Sequence, residues 1–307
     1  MSAISEGGAG TKPADITRAV LASYARSPDG RLRAIMEALV RHLHGFIEEV
    51  QLTDEEWREA IGVLTATGHI TDEKRQEWIL WSDVLGASML VDALAHPAAG
   101  EVTESTVLGP FYVEGSPLRA YGESLAETDA GQPAWIYGRV LSEDGTPLAD
   151  AELDVWQNGD NELYAVQDPD VPDDHLRGRF RTRSDGSYGF VAVRPTPYPI
   201  PHDGPVGAML MASGRHPWRP AHIHMIVRAP GHASVATHVF DRASEYIDSD
   251  AVFAVKRSLL RDFVAREPDD PQRPSGIGEV PWWSLRSDFV LARATAAGEP
   301  QDPGRTA

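Results

Sequence analysis

The apolar positions in the first hundred residues follow the period of an α-helix. The longest series recurs at intervals of three and four residues: Leu32, Ile35, Met36, Leu39, Leu43, Phe46 and Ile47. Such a stripe is typical of one apolar helix face. Thr53 followed by Glu56 predicts a capping box at the start of the next helix. The pattern from about Lys74 to Ala95 predicts one more continuous helix.

The pattern changes after Gly100 to short β-rich runs separated by Gly, Pro, Asp and Asn. Strands are predicted at residues 135–141, 151–157, 188–193, 208–211, 222–228 and 235–240, and a further helix at residues 251–263. Many short strands with frequent turns indicate an antiparallel β-sandwich or barrel. We therefore expect an α+β protein with four parts: a flexible leader at residues 1–13, a helical N-terminal region at residues 14–100, an antiparallel β-sandwich domain at residues 101–292 and a flexible tail at residues 293–307.

Composition narrows the chemistry that this chain can perform. Its net charge of −18 disfavours nucleic-acid and anionic-membrane partners, because both would repel it. It has no apolar run of membrane-spanning length and no signal-peptide pattern at its start. We therefore expect a soluble, cytoplasmic protein that acts on a small molecule. Because the chain contains no cysteine, a bound metal would need His, Tyr, Asp or Glu ligands.

The sharpest local signal is the segment Arg219-Pro-Ala-His222-Ile-His224. On a β-strand His222 and His224 share one face, which predicts a pair of metal ligands. Two hydrogen-bonded histidines in a polar network remain the alternative on spacing alone. His42 and His44 have the same spacing within a predicted helix. Side chains at i and i+2 diverge around a helix axis, so that pair is predicted to lie on the surface.

Two tyrosines accompany these histidines. Tyr198 lies in the proline-rich run at residues 195–201, which predicts a stiff loop. Without further information, this run favours a surface loop in which the Tyr198 ring is simply buried. Tyr164 follows the polar turn at residues 158–163 and has no distinctive pattern of its own.

Four segments, in this order, resemble the intradiol ring-cleaving dioxygenases. They are residues 103–112 (TESTVLGPFY), 154–157 (DVWQ), 197–201 (PYPIP) and 219–224 (RPAHIH). The resemblance extends over roughly residues 20–292. It implies a helical N-terminal region that forms a homodimer, followed by a β-sandwich catalytic domain.

The resemblance also implies one Fe(III) per subunit. The positions that match its ligands are Tyr164, Tyr198, His222 and His224. Phenolate oxygens favour Fe(III) over Fe(II), and Tyr198 matches the ligand that the substrate displaces. Arg219 matches an arginine beside the substrate ring, where its charge would stabilise negative charge in the reaction. His238 occupies a position where catechol-cleaving members resemble one another in having Gln, so its catalytic role stays open.

Substrate choice depends on the walls of the pocket. The resemblance places these residues around the ring: Leu80, Asp83, Val107, Gly109, Pro110, Phe111, Ile200, Pro201 and Val252. An acid in an apolar pocket needs a hydrogen-bond donor, and a third substrate hydroxyl would supply one to Asp83. This favours hydroxyquinol (benzene-1,2,4-triol), opened by O2 to 3-hydroxy-cis,cis-muconate or maleylacetate. Residues 237–241 and 246–253 also resemble the hydroxyquinol-cleaving members more than the catechol-cleaving ones. A solvated Asp83 on the helix surface is the alternative.

Three other functions compete with this interpretation. A catechol- or chlorocatechol-cleaving enzyme of the same family would give cis,cis-muconates and would differ only in the pocket. A non-catalytic transthyretin-like binding module is suggested by residues 138–140, 144–145, 151–156 and 184–188. Such a module would not need two tyrosines, two histidines and an arginine to converge. A zinc hydrolase built on His222 and His224 lacks an evident third ligand in the sequence.

Overall fold

The computed structural model describes residues 12–72, 75–97, 100–126 and 131–294. The predicted leader, residues 1–13, lies outside the described residues except for its last two positions. The predicted tail, residues 293–307, lies outside them except for its first two. The chain divides into two compact units between Ala66 and Thr67, and each unit is described by itself.

Helices make up the first unit. Helix α1 spans Pro13–Tyr24, α2 spans Gly30–Val50, and α3 spans Asp54–Ile70, which crosses the division. The predicted capping box is confirmed at the start of α3. The Glu56 carboxylate accepts a hydrogen bond from the Thr53 backbone N–H at 2.9 Å, and the Thr53 hydroxyl accepts one from the Glu56 N–H at 3.3 Å. These bonds satisfy N–H groups that the helix itself leaves unpaired.

The continuous helix predicted up to Ala95 is wrong. The structure has α4 at Glu77–Val84 and α5 at Ala87–Ala95. Gly86 separates them with a φ of +73°, a conformation that glycine adopts without steric cost, and the two axes differ by 75°. No single described helix has the length and apolar character of a membrane span, although this bent pair passes the same test on length and composition alone.

The second unit contains a β-sandwich. Its strands are β1 Pro133–Ser142, β2 Glu152–Trp156, β3 Arg177–Arg181, β4 Ser187–Val193, β5 Tyr198–Pro199, β6 Trp218–Arg219, β7 His222–Arg228, β8 Val235–Asp241, β9 Leu260–Arg261, β10 Val264–Arg266, β11 Trp282–Arg286 and β12 Phe289–Leu291. One sheet has the order β10-β11-β1-β12 with β4 also paired to β1, and the other has the order β3-β2-β7-β8-β9. Side chains from both sheets form one buried core, including Ile136, Phe190, Val155 and Ile223.

The predicted helical region followed by a β-sandwich is confirmed, but the sheets are mixed and not purely antiparallel. Strand β1 is parallel to both β11 and β12, and β8 is parallel to β9. The other pairs of the two larger sheets are antiparallel, including β2 with β7 and β7 with β8. Parallel neighbours require long connections. The strand pattern of the sequence does not specify these connections.

Two predicted elements of the second unit are also wrong. Residues 208–211 belong to helix α6, Pro205–Ala212, and not to a strand. A short apolar run does not distinguish the two, but Pro205 at the first turn is a helix-start signal. The predicted helix at residues 251–263 is replaced by turns, one 3₁₀ turn at Arg257–Leu259 and strand β9. Phe253 has a φ of +59°, which interrupts an α-helix.

Candidate metal centre

Strand β7 places its two histidines side by side, as the alternating pattern predicts. His222 and His224 are both buried, and their Nε2 atoms lie 3.1 Å apart. The register of β7 with β8 sets His238 opposite His224, with ring centroids 4.2 Å apart. Each of the three histidines offers a ring nitrogen within 4.8 Å of the others, so a metal ion could bind among them.

Both predicted tyrosines reach this cluster from separate segments. Tyr164, in the loop after β2, has its hydroxyl oxygen 3.1 Å from Nε2 of His224. Tyr198 lies in strand β5 and not in the predicted loop. Pairing of β5 with β6 sets Tyr198 opposite Arg219, and the Arg219 Nη1 atom donates to the Tyr198 hydroxyl at 3.3 Å. The two tyrosine rings are 5.2 Å apart and both are buried.

The tautomer of His222 directs a lone pair into the cluster. Its Nδ1 lies 2.7 Å from the carbonyl oxygen of Pro220, which can only accept a hydrogen bond. Nδ1 therefore carries the hydrogen, and Nε2 presents the lone pair that could bind a metal. That lone pair faces the Nε2 atom of His224 at 3.1 Å, an arrangement suited to a cation between the two rings.

Burial sets the protonation of the candidate ligands. Burial, with the nearby charge of Arg219, holds the pKa of His222 well below its ordinary value. Burial also lowers the pKa of His224 and of His238. The imidazoles are therefore neutral, which is the form that binds metals. Burial raises the pKa of Tyr164 well above its ordinary value, and a nearby metal cation would reverse this shift. Neutral imidazoles and phenolic oxygens fit iron.

Arg219 is the cation of the cluster and is almost completely buried. Its Nη1 atom lies 3.2 Å from Nε2 of His222, next to the Tyr198 hydroxyl. The other edge of its guanidinium donates to Asp250, from Nε at 3.1 Å and from Nη2 at 3.4 Å. Asp250 has no distinctive signal in the sequence beyond its place in the segment at residues 246–253.

His238 also has a polar partner that no sequence pattern indicates. Its Nδ1 atom lies 3.0 Å from the Thr106 hydroxyl oxygen. The Thr106 backbone N–H donates to the Ala236 carbonyl at 2.9 Å, which attaches the segment before Val107 to the first half of β8. The hydroxyl therefore approaches His238 from a fixed position.

The predicted pocket residues lie on segments around this cluster. Leu80, Ile200 and Val252 belong to one buried apolar cluster, and Val107 packs against it. Phe111 stacks on Tyr164 with ring centroids 4.5 Å apart. Pro110 and Pro201, next to Phe111 and Ile200 in the chain, are half-buried.

Gly109 allows a close approach to the histidines. Its φ is +79°, and a Cβ atom there would lie 3.1 Å from Cε1 of His224. A larger residue would therefore meet both an unfavourable backbone conformation and a crowded ring. This glycine brings the segment that carries Pro110 and Phe111 against the cluster.

Asp83 is the acidic member of the predicted pocket. The alternative of a solvated carboxylate is wrong, because only 4% of Asp83 is exposed. Burial raises its pKa, whereas a hydrogen bond from Ser88 and the charge of Arg219 lower it. Leu80 and Asp83 lie three residues apart on α4, and both are buried.

Comparisons with known proteins identify the family of this chain. Residues 107–282 match the family described as "Dioxygenase", and residues 29–103 match "Catechol dioxygenase N terminus". The chain is 48% identical to a hydroxyquinol 1,2-dioxygenase of Nocardioides simplex over 283 residues, which cover 91% of this chain and 95% of the relative. The structure of hydroxyquinol 1,2-dioxygenase from Pseudomonas putida DLL-E4 superposes with a TM-score of 0.87 at 48% identity, over 92% of this chain and 99% of that one.

A more distant solved structure shares the same fold. Catechol 1,2-dioxygenase from Pseudomonas arvilla C-1 superposes with a TM-score of 0.79 at 26% identity, over 92% of this chain and 93% of that one. The alternative of a non-catalytic binding module is thereby wrong, because the family match spans both parts of the chain. The chain belongs to the intradiol ring-cleavage dioxygenases.

Proposed function

We propose that this protein is an Fe(III) enzyme that opens the ring of hydroxyquinol with O2 between two adjacent hydroxylated carbons. The product is 3-hydroxy-cis,cis-muconate, whose keto form is maleylacetate. One Fe(III) per subunit is held by Tyr164, Tyr198, His222 and His224. The observation that carries this proposal is the convergence of these four buried side chains from three separate segments.

Each of the chain's own groups has a task in this proposal. The iron, when bound, activates the chelated diol toward O2. Tyr198 is placed to exchange a proton with an incoming substrate hydroxyl, because its oxygen is held by Arg219 at 3.3 Å. Arg219 stabilises negative charge on the reacting ring and its oxygens, since its charge is buried beside His222. The surrounding apolar residues exclude water.

His238 makes a zinc hydrolase site a second candidate that metal analysis can test. It supplies the third nitrogen that a zinc hydrolase site would require and that the sequence did not reveal. Two phenolic oxygens beside the same histidines favour iron, because hard anionic donors stabilise Fe(III). Metal analysis separates the two chemistries directly.

The metal and its ligands are tested by one spectroscopic experiment. Purified protein is analysed for iron and zinc, and its visible spectrum is recorded before and after anaerobic addition of hydroxyquinol. We expect about one iron per chain, a phenolate-to-Fe(III) band and a shift of that band with substrate. A protein that stays colourless after reconstitution with iron would contradict the proposed ligands.

Asp83 is the proposed reason for a triol substrate. Its carboxyl group is buried on α4 beside Leu80 and Val84, with a hydrogen bond from Ser88, and a further donor would offset more of the cost of its burial. The third hydroxyl of hydroxyquinol supplies a donor that catechol lacks. The closer likeness to hydroxyquinol 1,2-dioxygenases, at 48% identity, than to the P. arvilla catechol enzyme, at 26%, supports the same choice.

Replacing Asp83 tests this choice of substrate. Asp83→Leu should shift the ratio of kcat/KM for hydroxyquinol and catechol toward catechol by about 10-fold, the scale of one lost buried hydrogen bond. Asp92→Leu is the matched control, since Asp92 on the neighbouring helix α5 pairs with Lys256 at 3.0 Å. That variant should lower stability without changing the ratio. An unchanged ratio in Asp83→Leu would point to another basis for substrate preference, and catechol or chlorocatechol would then be compared as substrates.

The first unit supports a proposal of homodimerisation through its helices. Helix α2 exposes about half of each of several large apolar side chains: Leu32 50%, Ile35 46%, Leu39 52%, Leu43 49% and Phe46 53%. An apolar stripe of this kind is suited to a second copy of the same helix. Light scattering should give twice the chain mass for the wild type. Leu39→Glu should shift the protein toward the monomer, and a monomeric wild type would contradict the proposal.

A further inference from the structure

We infer that Asp250 is a positioning residue that fixes the direction of the Arg219 guanidinium toward the reacting ring. The inference rests on the proposed function, because it assigns to Asp250 a role that acts only through Arg219. Asp250 lies between β8 and the 3₁₀ turn, in a segment with no candidate ligand of its own.

The contacts of Asp250 use both edges of its carboxylate. One oxygen accepts from Nε of Arg219 at 3.1 Å and from the Val252 backbone N–H at 3.3 Å. The other accepts from Nη2 of Arg219 at 3.4 Å and from the Ala254 backbone N–H at 3.0 Å. With Nε and Nη2 engaged, the plane of the guanidinium is set. Nη1 is then directed at Tyr198 and His222.

The burial of the Arg219–Asp250 ion pair favours a role in function rather than in stabilising the fold. The side chains of Arg219 and Asp250 are 3% and 2% exposed. A buried ion pair is often no more stabilising than apolar residues of the same volume, because both charges lose their hydration. Such a pair has a reason to exist if the positive charge of Arg219 must be held at a fixed place beside the candidate ligands.

The turn that follows Asp250 holds its carboxylate in place. Its bonds to the backbone of Val252 and Ala254 hold the turn in which Phe253 has a φ of +59°. Val252 packs with Leu80 and Ile200 in the apolar cluster. The same two backbone bonds fix the carboxylate itself, so that its oxygens hold the Arg219 guanidinium in one place.

Asp250→Asn is the primary test. An amide keeps the size of the side chain but offers one acceptor oxygen in place of two, and its NH2 group faces N–H donors. We expect kcat for hydroxyquinol to fall about 10- to 100-fold, the range for outer groups that orient an active site. Iron content, the visible band and its shift with anaerobic substrate should be retained. A merely structural role would not separate kcat from these signals.

The matched control is Asp241→Asn. Asp241 is equally buried, accepts from Nε and Nη2 of Arg194 at 3.0 and 2.6 Å, and also accepts from a backbone N–H. It is not one of the proposed catalytic or substrate-binding groups. We expect a comparable fall in Tm and an unchanged kcat. Equal kcat values for the two variants would overturn the inference.

Two further variants keep the test decisive. If Asp250 acts through Arg219, then adding Asp250→Asn to Arg219→Ala should change kcat less than about threefold. Independent, multiplicative losses would overturn the inference.

Asp250→Glu retains the charge but moves the carboxylate by one methylene, and it covers the case in which the amide variant does not fold. We expect an intermediate kcat for it, whereas a wild-type kcat would overturn the positional role. A wild type without iron or turnover would instead refute the proposed function.

Discussion

Two histidine pairs in this protein have identical spacing and opposite surroundings. His42 and His44 lie on helix α2, where the first is exposed and the second half-buried. His222 and His224 lie on strand β7, where both are buried and their Nε2 atoms are 3.1 Å apart. Alternate residues share a face on a strand but diverge by about 200° around a helix. The secondary structure, and not the spacing, decides which pair of histidines can bind one metal ion.

The chemical environment of the strand pair follows from its neighbours. Both histidines face Tyr164, Tyr198 and Arg219 in an interior without bulk water. Burial lowers the pKa of His222 and of His224, so each keeps a free lone pair at neutral pH. On α2, the ring of His44 has a hydroxyl partner, Thr17, at 2.8 Å. Substitutions in the two pairs should therefore have opposite effects on iron binding and activity.

The largest expected effect comes from removing one member of the strand pair. His224→Ala should lose most of the bound iron and lower kcat by more than about 100-fold, beyond the range for outer groups around a metal. His44→Ala should retain iron and activity, because its ring is half-buried on a helix and is not a candidate ligand. Metal analysis and turnover of hydroxyquinol measure both. Iron retained in His224→Ala would break the contrast between the pairs.

The sequence could predict the strand pair because its signal is local. Alternation on β7 depends only on residues 222–228, and the resemblance added the two tyrosines. The contacts of Arg219 could not be predicted in this way. Tyr198 meets it through the pairing of β5 with β6, and Asp250 meets it across 31 residues of chain. Such contacts depend on the tertiary fold.

The errors in the predicted elements have two origins. The pattern at residues 251–263 suits a helix, but Phe253 has a φ of +59° and the Asp250 carboxylate, held by Arg219, binds the N–H groups of the turn. The apolar run at residues 208–211 is short enough for either a strand or a helix. Gly86 ends α4 because its backbone adopts a left-handed conformation. A tertiary contact accompanies the first error, whereas the other two arise from local signals that the apolar pattern does not resolve.

Buried and exposed carboxylates differ in the same way as the two histidine pairs. The next largest expected effect is on the pH dependence of stability. Burial raises the pKa of Asp154 to about 6, although a hydrogen bond from Tyr112 lowers it. The unfolded value is about 3.9. The folded protein therefore binds the proton more tightly, and stability is lost as the pH rises from about 4 to about 6. The full loss is about 3 kcal/mol above that window.

Asp154→Asn should remove this loss. We expect a higher Tm than the wild type at pH 8 and a smaller gain at pH 5, where the folded wild type is still largely protonated. Asp185→Asn is the control, because Asp185 is exposed and hydrogen bonds from Ser187 lower the pKa of its carboxyl group. That variant should gain no stability at either pH. A gain for Asp154→Asn that is equal at both pH values would contradict the assigned titration.

The smallest effect concerns two threonine–histidine contacts, one beside each histidine pair. The Thr106 hydroxyl oxygen lies 3.0 Å from Nδ1 of buried His238, and that of Thr17 lies 2.8 Å from Nδ1 of His44. Replacement by Val keeps the shape of each side chain and removes one hydrogen bond, worth about 1 kcal/mol. Thr106→Val should lower kcat about fivefold with iron retained, because His238 packs against both His222 and His224.

Thr17→Val should leave kcat unchanged, since the ring that it releases belongs to His44 on α2, which is not a candidate ligand or a pocket residue. Turnover and iron content of the two variants are measured together. Equal turnover in both would mean that the orientation of His238 is set by its packing against Phe240 and the other two rings, and not by the hydroxyl. Loss of iron from Thr106→Val would instead make His238 part of the metal site. A selective fall in kcat would assign His238 to the reacting oxygens and not to the metal.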